Sequence, residues 1–420
     1  MMNANKPYDV VVVGAGAAGL MASGQAAISG AKTLLLEKTD SPGKKLSITG
    51  KNRCNLTNTA DLRTFIDHFG PQGRFLHQAF ARFFCEDLLN FFESIGVKSE
   101  AERGGRIFPS NGDASFVTEQ LYKWAQENGV HCSLGSPVMN LITENGSICA
   151  VRMRDGDIIP TNSVILCTGG SSFTGTGSTG DGYRMAKSIG HTIVPLRPAL
   201  VPLVTEGLIA KRMQGLSLRN VKLSVFIDDK KMIEAFGEML FTHFGISGPI
   251  VLTHSGKIVD AIRGGKTVIV SIDLKPALDD AKLDARLLRE LDLGGKQYFQ
   301  TMLKRLLPSK MVEVCAHLTD ISWDRPCHQI TAQERRRLLI LLKDFRLKVT
   351  GPLSLETGMV TMGGVSLDEV DPKTMMSKLV KGLFFAGEVL DLAGDTGGYN
   401  LQAAWSTGWL AGQNAASLLD

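Results

Sequence analysis

The stretch YDVVVVGAGAAGLMASGQAAISGAKTLLLE, residues 8–37, decides the fold. Its first six residues make a short apolar run of the kind a buried parallel strand gives. They lead directly into Gly14-Ala15-Gly16-Ala17-Ala18-Gly19, a G-x-G-x-x-G turn. Residues 20–29 are Ala-rich and predict a helix, Gly30 is its expected stop, and KTLLLE predicts a second strand ending at Glu37. Strand, glycine turn, helix, strand and acid thus stand in the order of a dinucleotide-binding unit. In such a unit Gly14 permits the tight turn, Gly16 lets the backbone approach a pyrophosphate, and Gly19 allows close packing of helix on strand. Ala15, Ala17 and Ala18 offer N–H groups to the anion at the helix start, and Glu37 would accept hydrogen bonds from ribose hydroxyls.

The far end of the chain bears on which dinucleotide is meant. Residues 382–386, GLFFA, read as another buried strand. After it come Gly387-Glu388 and TGGYNLQAAWSTGWLAGQNAA, a glycine turn opening a helix with small residues along it. A second glycine-to-helix junction, more than 360 residues from the first, suggests one long cofactor held by both ends of the chain. FAD suits that arrangement better than a nicotinamide cofactor. Gly387 would lie against the pyrophosphate and ribitol with Glu388 nearby, and Gly398 would shape the turn. The N–H groups of Asn400 and Leu401 would face the flavin N1/O2 edge, where a helix start stabilises the negative charge of a reduced flavin. The competing reading is a last helix that merely closes the domain.

A third strand, residues 164–167, ends in Thr168-Gly169-Gly170, which are expected beside the cofactor. GTGSTG, residues 175–180, also satisfies G-x-G-x-x-G, yet HTIVPLRPALVPLV, residues 191–204, contains no acid to follow it. The loop is therefore read as a close approach to the cofactor, with Asp181 capping the next helix. Lys38, Lys45 and Val138 complete the expected cofactor set. NAD(P)H would act as a transient donor without a Rossmann domain of its own.

Composition sets the outer bounds. With 420 residues, 44% hydrophobic and 21% charged, the chain can bury a sizeable core in two or three domains. A net charge of +4 is far from the clustered excess of dedicated nucleic-acid binders, so a polyanionic substrate is permitted and no DNA partner is expected. Seven scattered cysteines without a C-x-x-C pair fit neither a disulfide framework nor a zinc ribbon and point to the reducing cytoplasm. Cys315, His317, Cys327 and His328 match no ligand spacing, and no metal is expected. Residues 1–16 lack the basic region and apolar core of a signal peptide, and no run of about 18 apolar residues occurs that would span a membrane.

Taken together, GAGAAGLMA, GKKLSITGKNRCNLTN, GRIFP, GSTGDGYRMAKSIGH, LFTHFGISGP, TMGGV and GLFFAGEVLDLAGDTGGYNLQAAWSTGWLAG resemble the BaiN/RdsA-like family of NAD(P)/FAD-dependent oxidoreductases, in the family's order and across nearly the whole chain. TGG and TGDG also resemble the wider fumarate reductase and aspartate oxidase group. The resemblance implies an α/β fold: a Rossmann-like FAD-binding domain of residues 1–195 and 346–420, interrupted by an inserted domain, residues 196–345. That insertion would be a small β-barrel, residues 196–275 and 326–345, with a helical part at 276–325. Alternating strand patterns in LSLRNVKLSVFIDDKKM and KTVIVSIDL, and helical spacing in residues 283–318, agree with it.

Assigned members of that family reduce activated carbon–carbon double bonds, in an unsaturated 3-oxo bile-acid intermediate or in a ribosomal RNA uridine. The resemblance therefore implies a reductase of a small enone or an RNA base. The alternative is a flavin-bound redox sensor or RNA-binding module without turnover. Such a reduction needs a proton donor and a group that stabilises enolate-like charge. Arg53, Cys54 and Asn55, in GKNRCNLTN, are expected to touch flavin or substrate. Cys54 is a candidate acid, Arg53 a candidate anion-binding cation, and packing in a tight loop is the competing reading of the thiol. Lys51-Asn52 stand where relatives carry small residues, often glycine. His243 in FTHFGISGP, placed by the resemblance where the insertion meets the flavin domain, is the other proton-donor candidate, against a histidine merely held in a Gly-Pro turn. Arg103 and Arg106 are read either as substrate contacts or as solvated loop residues. ERRRLLILLKDFRLKV is either a solvated helix face or a contact for RNA phosphate.

Overall fold

The computed structural model describes residues 8–419; residues 1–7, on which part of the signal-peptide reading falls, lie outside the described residues. Two compact units divide the chain: Met1–Pro198 with Gly358–Asp420, and Ala199–Thr357.

In the first unit the valine-rich strand Tyr8–Val13 forms because both of its faces are covered, and Val10, Val11 and Val12 are fully buried. It pairs in parallel with Thr33–Leu36 on one side and Ile158–Leu166 on the other. Thr33–Leu36 continues to His131–Ser133, again parallel. Ile158–Leu166 takes Leu383–Phe385 in parallel, and through Ser147–Met153 reaches the antiparallel Val138–Glu144. The sheet has seven strands, and the strand Leu383–Phe385 brings the end of the chain beside its beginning.

Two helices complete that junction. Ala17–Ile28 and Tyr399–Ala416 approach so closely that a Cβ on Gly408 would lie 2.5 Å from the Ala18 carbonyl oxygen, and one on Gly412 2.3 Å from that of Ala22. The small residues along the last helix are thus a packing requirement. Trp405 is fully buried on the same helix, and its indole N–H donates to the Leu56 carbonyl at 3.1 Å. That bond ties the segment after GKNRC to the last helix.

The second unit is a closed antiparallel barrel in the order Leu203–Thr205, Gly245–Ser247, Lys230–Phe241, Ser217–Ile227, Val268–Asp273, Phe345–Pro352, which returns to Leu203–Thr205. The helices Asp280–Gly294, Phe299–Leu306, Ser309–Thr319 and Ala332–Lys343 share its hydrophobic core. Residues 326–345, expected as barrel, instead hold a 3-10 turn, Cys327–Gln329, and the helix Ala332–Lys343. A capping box between Thr331 and Glu334 starts this helix, and Leu338, Leu339 and Leu342 form its buried stripe. The barrel closes one element later, on Phe345–Pro352, whose residues alternate between buried and exposed.

Candidate functional site

A cleft partly open to solvent runs into the first unit. Its walls come from elements far apart in sequence. Gly14, Ala15, Gly16, Ala17 and Ala18 supply the glycine turn and helix start, and Glu37 and Lys38 supply the end of the second strand. Lys45, Val138, Thr168, Gly169 and Asp181 form further stretches of wall. Gly387, Glu388, Asn400 and Leu401, from the far end of the chain, line it as well.

The two helix starts are chemically alike. Neither Ala17–Ile28 nor Tyr399–Ala416 has a side-chain cap or an acid in its first turn, so each leaves the positive end of its dipole bare at the cleft. A Cβ on Gly16 would meet nothing within 4 Å, so the space over the first helix start is open. Gly19 does not border the cleft: its Cβ would fall 1.8 Å from the Gly14 carbonyl oxygen, which makes it a packing glycine. Glu37 braces the turn, its carboxylate accepting from the Ala15 N–H and the Thr39 N–H, both at 2.8 Å.

In the cleft lining, Lys45 Nζ lies 2.7 Å from Glu388 Oε2 and donates to Ser172 Oγ at 2.8 Å. Glu388 Oε1 accepts from the Thr361 N–H at 2.8 Å, and the Gly387 N–H donates to Thr407 Oγ1 at 3.0 Å. The turn at Gly387 is thereby held from both sides. Gly170 lies off the cleft, where a Cβ would come within 2.4 Å of Thr361 Oγ1. Lys38 pairs with Asp181 at 2.5 Å. Asp181 is not the cap of its helix; Gly180, in the left-handed region, holds that place. Burial pushes the Asp181 carboxyl up, but bonds from Lys38 and Thr179 outweigh it and hold the group below the usual carboxylate range.

The GKNRC loop is placed differently from its expected position. Arg53, Cys54 and Asn55 do not border the cleft. Arg53 pairs with Glu102 at 2.5 Å and lies over the Phe108 ring at 4.2 Å from its centroid. Cys54 is fully buried in the hydrophobic core, and burial pushes its thiol up to about 12. Asn55, with its amide oriented to suit its neighbours, donates to the Ile107 and Thr57 carbonyls and accepts from the Gly398 N–H. These residues are the frame behind the last helix start, with Gly398 packed against the Thr57 backbone. His243 belongs to the second unit, exposed between the strands Lys230–Phe241 and Gly245–Ser247 with its ring edge-on to Phe244. Arg103 and Arg106 are exposed, and Arg106 lies 3.8 Å from Glu102.

Phe69, Met359, Val360 and Leu392 also border the cleft and were not anticipated. Met359 and Val360 adjoin TMGGV, a stretch singled out in the sequence; Phe69 and Leu392 are single apolar residues with no motif to mark them. Nor does the sequence single out the pair His68 and Asp395, 2.8 Å apart beside Phe69.

The site residues fit a long dinucleotide: two uncapped helix starts for anionic or electron-rich groups, an open cradle at Gly16 and an acid at the strand end. Comparison with known proteins agrees. The chain is 32% identical to the 3-dehydro-bile acid delta(4,6)-reductase of Clostridium scindens, over 96% of this chain and 98% of the relative. It is 29% identical to the ribosomal RNA dihydrouridine synthase of Escherichia coli, over 97% and 98%. Among solved structures, 3-ketosteroid delta1-dehydrogenase from Sterolibacterium denitrificans shares the fold with a TM-score of 0.54 at 13% identity, covering 98% of this chain and 100% of that one. The FrdA subunit of Escherichia coli quinol fumarate reductase matches with a TM-score of 0.53 at 17% identity, over 98% and 70%. Residues 8–414 match the HI0933-like protein Rossmann domain, and the chain belongs to that family.

Proposed function

We propose that this protein is an FAD-dependent oxidoreductase that saturates an activated carbon–carbon double bond, with NAD(P)H as its transient electron donor. The observation that carries the reading is one cleft lined both by the glycine turn before Ala17–Ile28 and by the start of Tyr399–Ala416, neither helix having a side-chain cap. Bound FAD would supply the hydride. The start of Ala17–Ile28 binds the pyrophosphate, Glu37 the ribose, and the N–H groups of Asn400 and Leu401 the electron-rich edge of the flavin ring. Lys45 and Glu388, both in the lining, neutralise each other and hold that part of the wall in place. The names of the relatives, a delta(4,6)-reductase and a dihydrouridine synthase, describe the same change, hydrogen added across a double bond.

The substrate is a conjugated enone of the 3-oxo steroid type or a uridine of ribosomal RNA. Supporting the RNA option, residues 199–357 carry 24 lysines and arginines against 18 acids, a net +6 where the whole chain has +4. Against it, a folded RNA must expose or flip the base at a cost of a few kcal/mol, which favours immature RNA. All seven cysteines are free, which supports the cytoplasm as the compartment; among the described residues no helix is long and apolar enough to cross a membrane.

Rapid anaerobic bleaching of the flavin absorbance by NADH or NADPH is the expected result. A flavin that neither donor reduces would sink the reductase reading in favour of a redox sensor. Mass spectrometry of ribosomal RNA from a deletion strain then separates the substrates: a dihydrouridine lost on deletion and regained on complementation marks the RNA base, and unchanged RNA marks the small enone.

A further inference from the structure

Where the last helix begins, two side chains stand immediately behind the cleft lining. His68 Nδ1 lies 2.8 Å from Asp395 Oδ2, and the imidazole stacks on the Tyr399 ring at 3.9 Å between centroids. The backbone fixes the pair as well. The Asp395 N–H donates to the His68 carbonyl at 3.1 Å, and Asn400 Nδ2 donates to the carbonyls of Gly394 and Asp395 at 2.8 and 3.1 Å. Phe69, the residue after His68, borders the cleft together with Leu392, Asn400 and Leu401. A Cβ on Gly394 would reach within 2.9 Å of the Phe69 ring, so the loop carrying Asp395 rests directly on that wall.

Both side chains of the pair are about one-third exposed, at 32% and 33%, so they are held but reachable. Among the described residues Nε2 of His68 has no hydrogen-bond partner. A carboxylate on Nδ1 leaves Nε2 as the nitrogen that exchanges a proton with whatever lies in front of it. Cys54, another proton-donor candidate, is sealed in the core.

We propose that His68 is the proton donor of the reduction and that Asp395 is its positioning residue; the inference rests on the reductase reading above. The electron-poor carbon receives hydride from the reduced flavin as the π bond breaks. The Nε2–H bond of the imidazolium breaks, and its proton forms the new C–H bond on the neighbouring carbon. Neutral imidazole regains its proton from solvent, and the nicotinamide donor restores the hydride.

The test uses the flavin-loaded full chain reduced with dithionite, which makes the outcome independent of the nicotinamide donor. Reoxidation is followed with 4-androstene-3,17-dione, with ribosomal RNA from cells lacking the protein, and with ferricyanide, which takes electrons without protonating carbon. His68→Gln is expected to keep the wild-type flavin spectrum and ferricyanide rate. Its rate with whichever unsaturated probe the wild type reduces should fall by about 10²–10⁴. Asp395→Asn should lose about tenfold on the same probe with ferricyanide unchanged, and it carries the test if His68→Gln fails to hold flavin. Wild-type rates on the unsaturated probe in a flavin-loaded His68→Gln, or in Asp395→Asn where that variant carries the test, would overturn the inference and leave the reductase reading standing. A wild type that reduces neither unsaturated probe would overturn both.

Discussion

At the scale of single residues, burial decides between chemistry and packing. Cys54 looks reactive in GKNRCNLTN because nothing local hides it, yet it is fully buried, with burial pushing its thiol up to about 12. Cys54→Ala is accordingly expected to keep flavin and turnover while losing about 1–2 kcal/mol of stability, read from urea unfolding. The same loop holds Lys51 at φ +60, where an L side chain costs about 1–2 kcal/mol and glycine's extra entropy costs about 0.5–1. Lys51 is exposed and loses no packing when removed, so Lys51→Gly should stabilise by up to about 1 kcal/mol in the same assay. Asp181 supplies the pH dependence. Its folded carboxyl is held below the usual range, so its contribution to stability is present above the unfolded value near 3.9 and is lost as the pH falls through the folded value. Thermal unfolding from pH 7 down to pH 3 should show Asp181→Asn less stable than wild type at neutrality, with the gap closing in acid. None of this could be seen in the sequence, because burial and partners come from Lys38, Glu102 and Phe108, each remote from the residue it decides.

Among the elements, the glycines of the first turn separate into two kinds, Gly19 closed against the Gly14 backbone and Gly16 open at the cleft. Gly19→Ala drives a Cβ into the Gly14 carbonyl and should prevent the unit from folding, seen as loss of soluble protein or of a cooperative melt. Gly16→Val meets only open space, so the chain should fold with a melting temperature close to that of wild-type apoprotein yet fail to retain FAD in its absorbance spectrum. The last helix is held by Trp405, whose truncation to alanine should cost about 3–5 kcal/mol and loosen flavin binding through the helix start it anchors. Elements with strong local signals were legible: the strand–turn–helix–strand at residues 8–37 and the helix in TGGYNLQAAWSTGWLAG. The closing barrel strand was misplaced, because ERRRLLILLKDFRLKV joins a helix to a strand without a glycine or proline between them. The capping residues Thr331 and Glu334 hold the only boundary signal, at the start of the helix.

For the whole molecule, charge is divided unequally, net +6 in residues 199–357 and therefore −2 in the rest of a +4 chain. If RNA is the substrate and three to six phosphates are neutralised, the binding constant should fall with salt at a log–log slope of about −2 to −4 in filter binding. A slope near zero would argue for the small enone. Several arginines are already committed within the inserted unit, Arg335 to Asp284 at 2.9 Å and Arg325 to Glu334 at 2.5 Å, so fewer cations are free than the count suggests. The sequence by itself determined the strand–turn–helix–strand unit, the acid at its end and the late glycine-to-helix junction, because strand, glycine turn and helix are short-range patterns written in consecutive residues. Tertiary structure alone decided which loops face the cleft. It sealed Cys54 away, turned Arg53 onto Glu102 and brought His68 to Asp395 across 327 positions of chain. Such pairings follow from how the sheet and the last helix bury their apolar faces, and no local spacing encodes them.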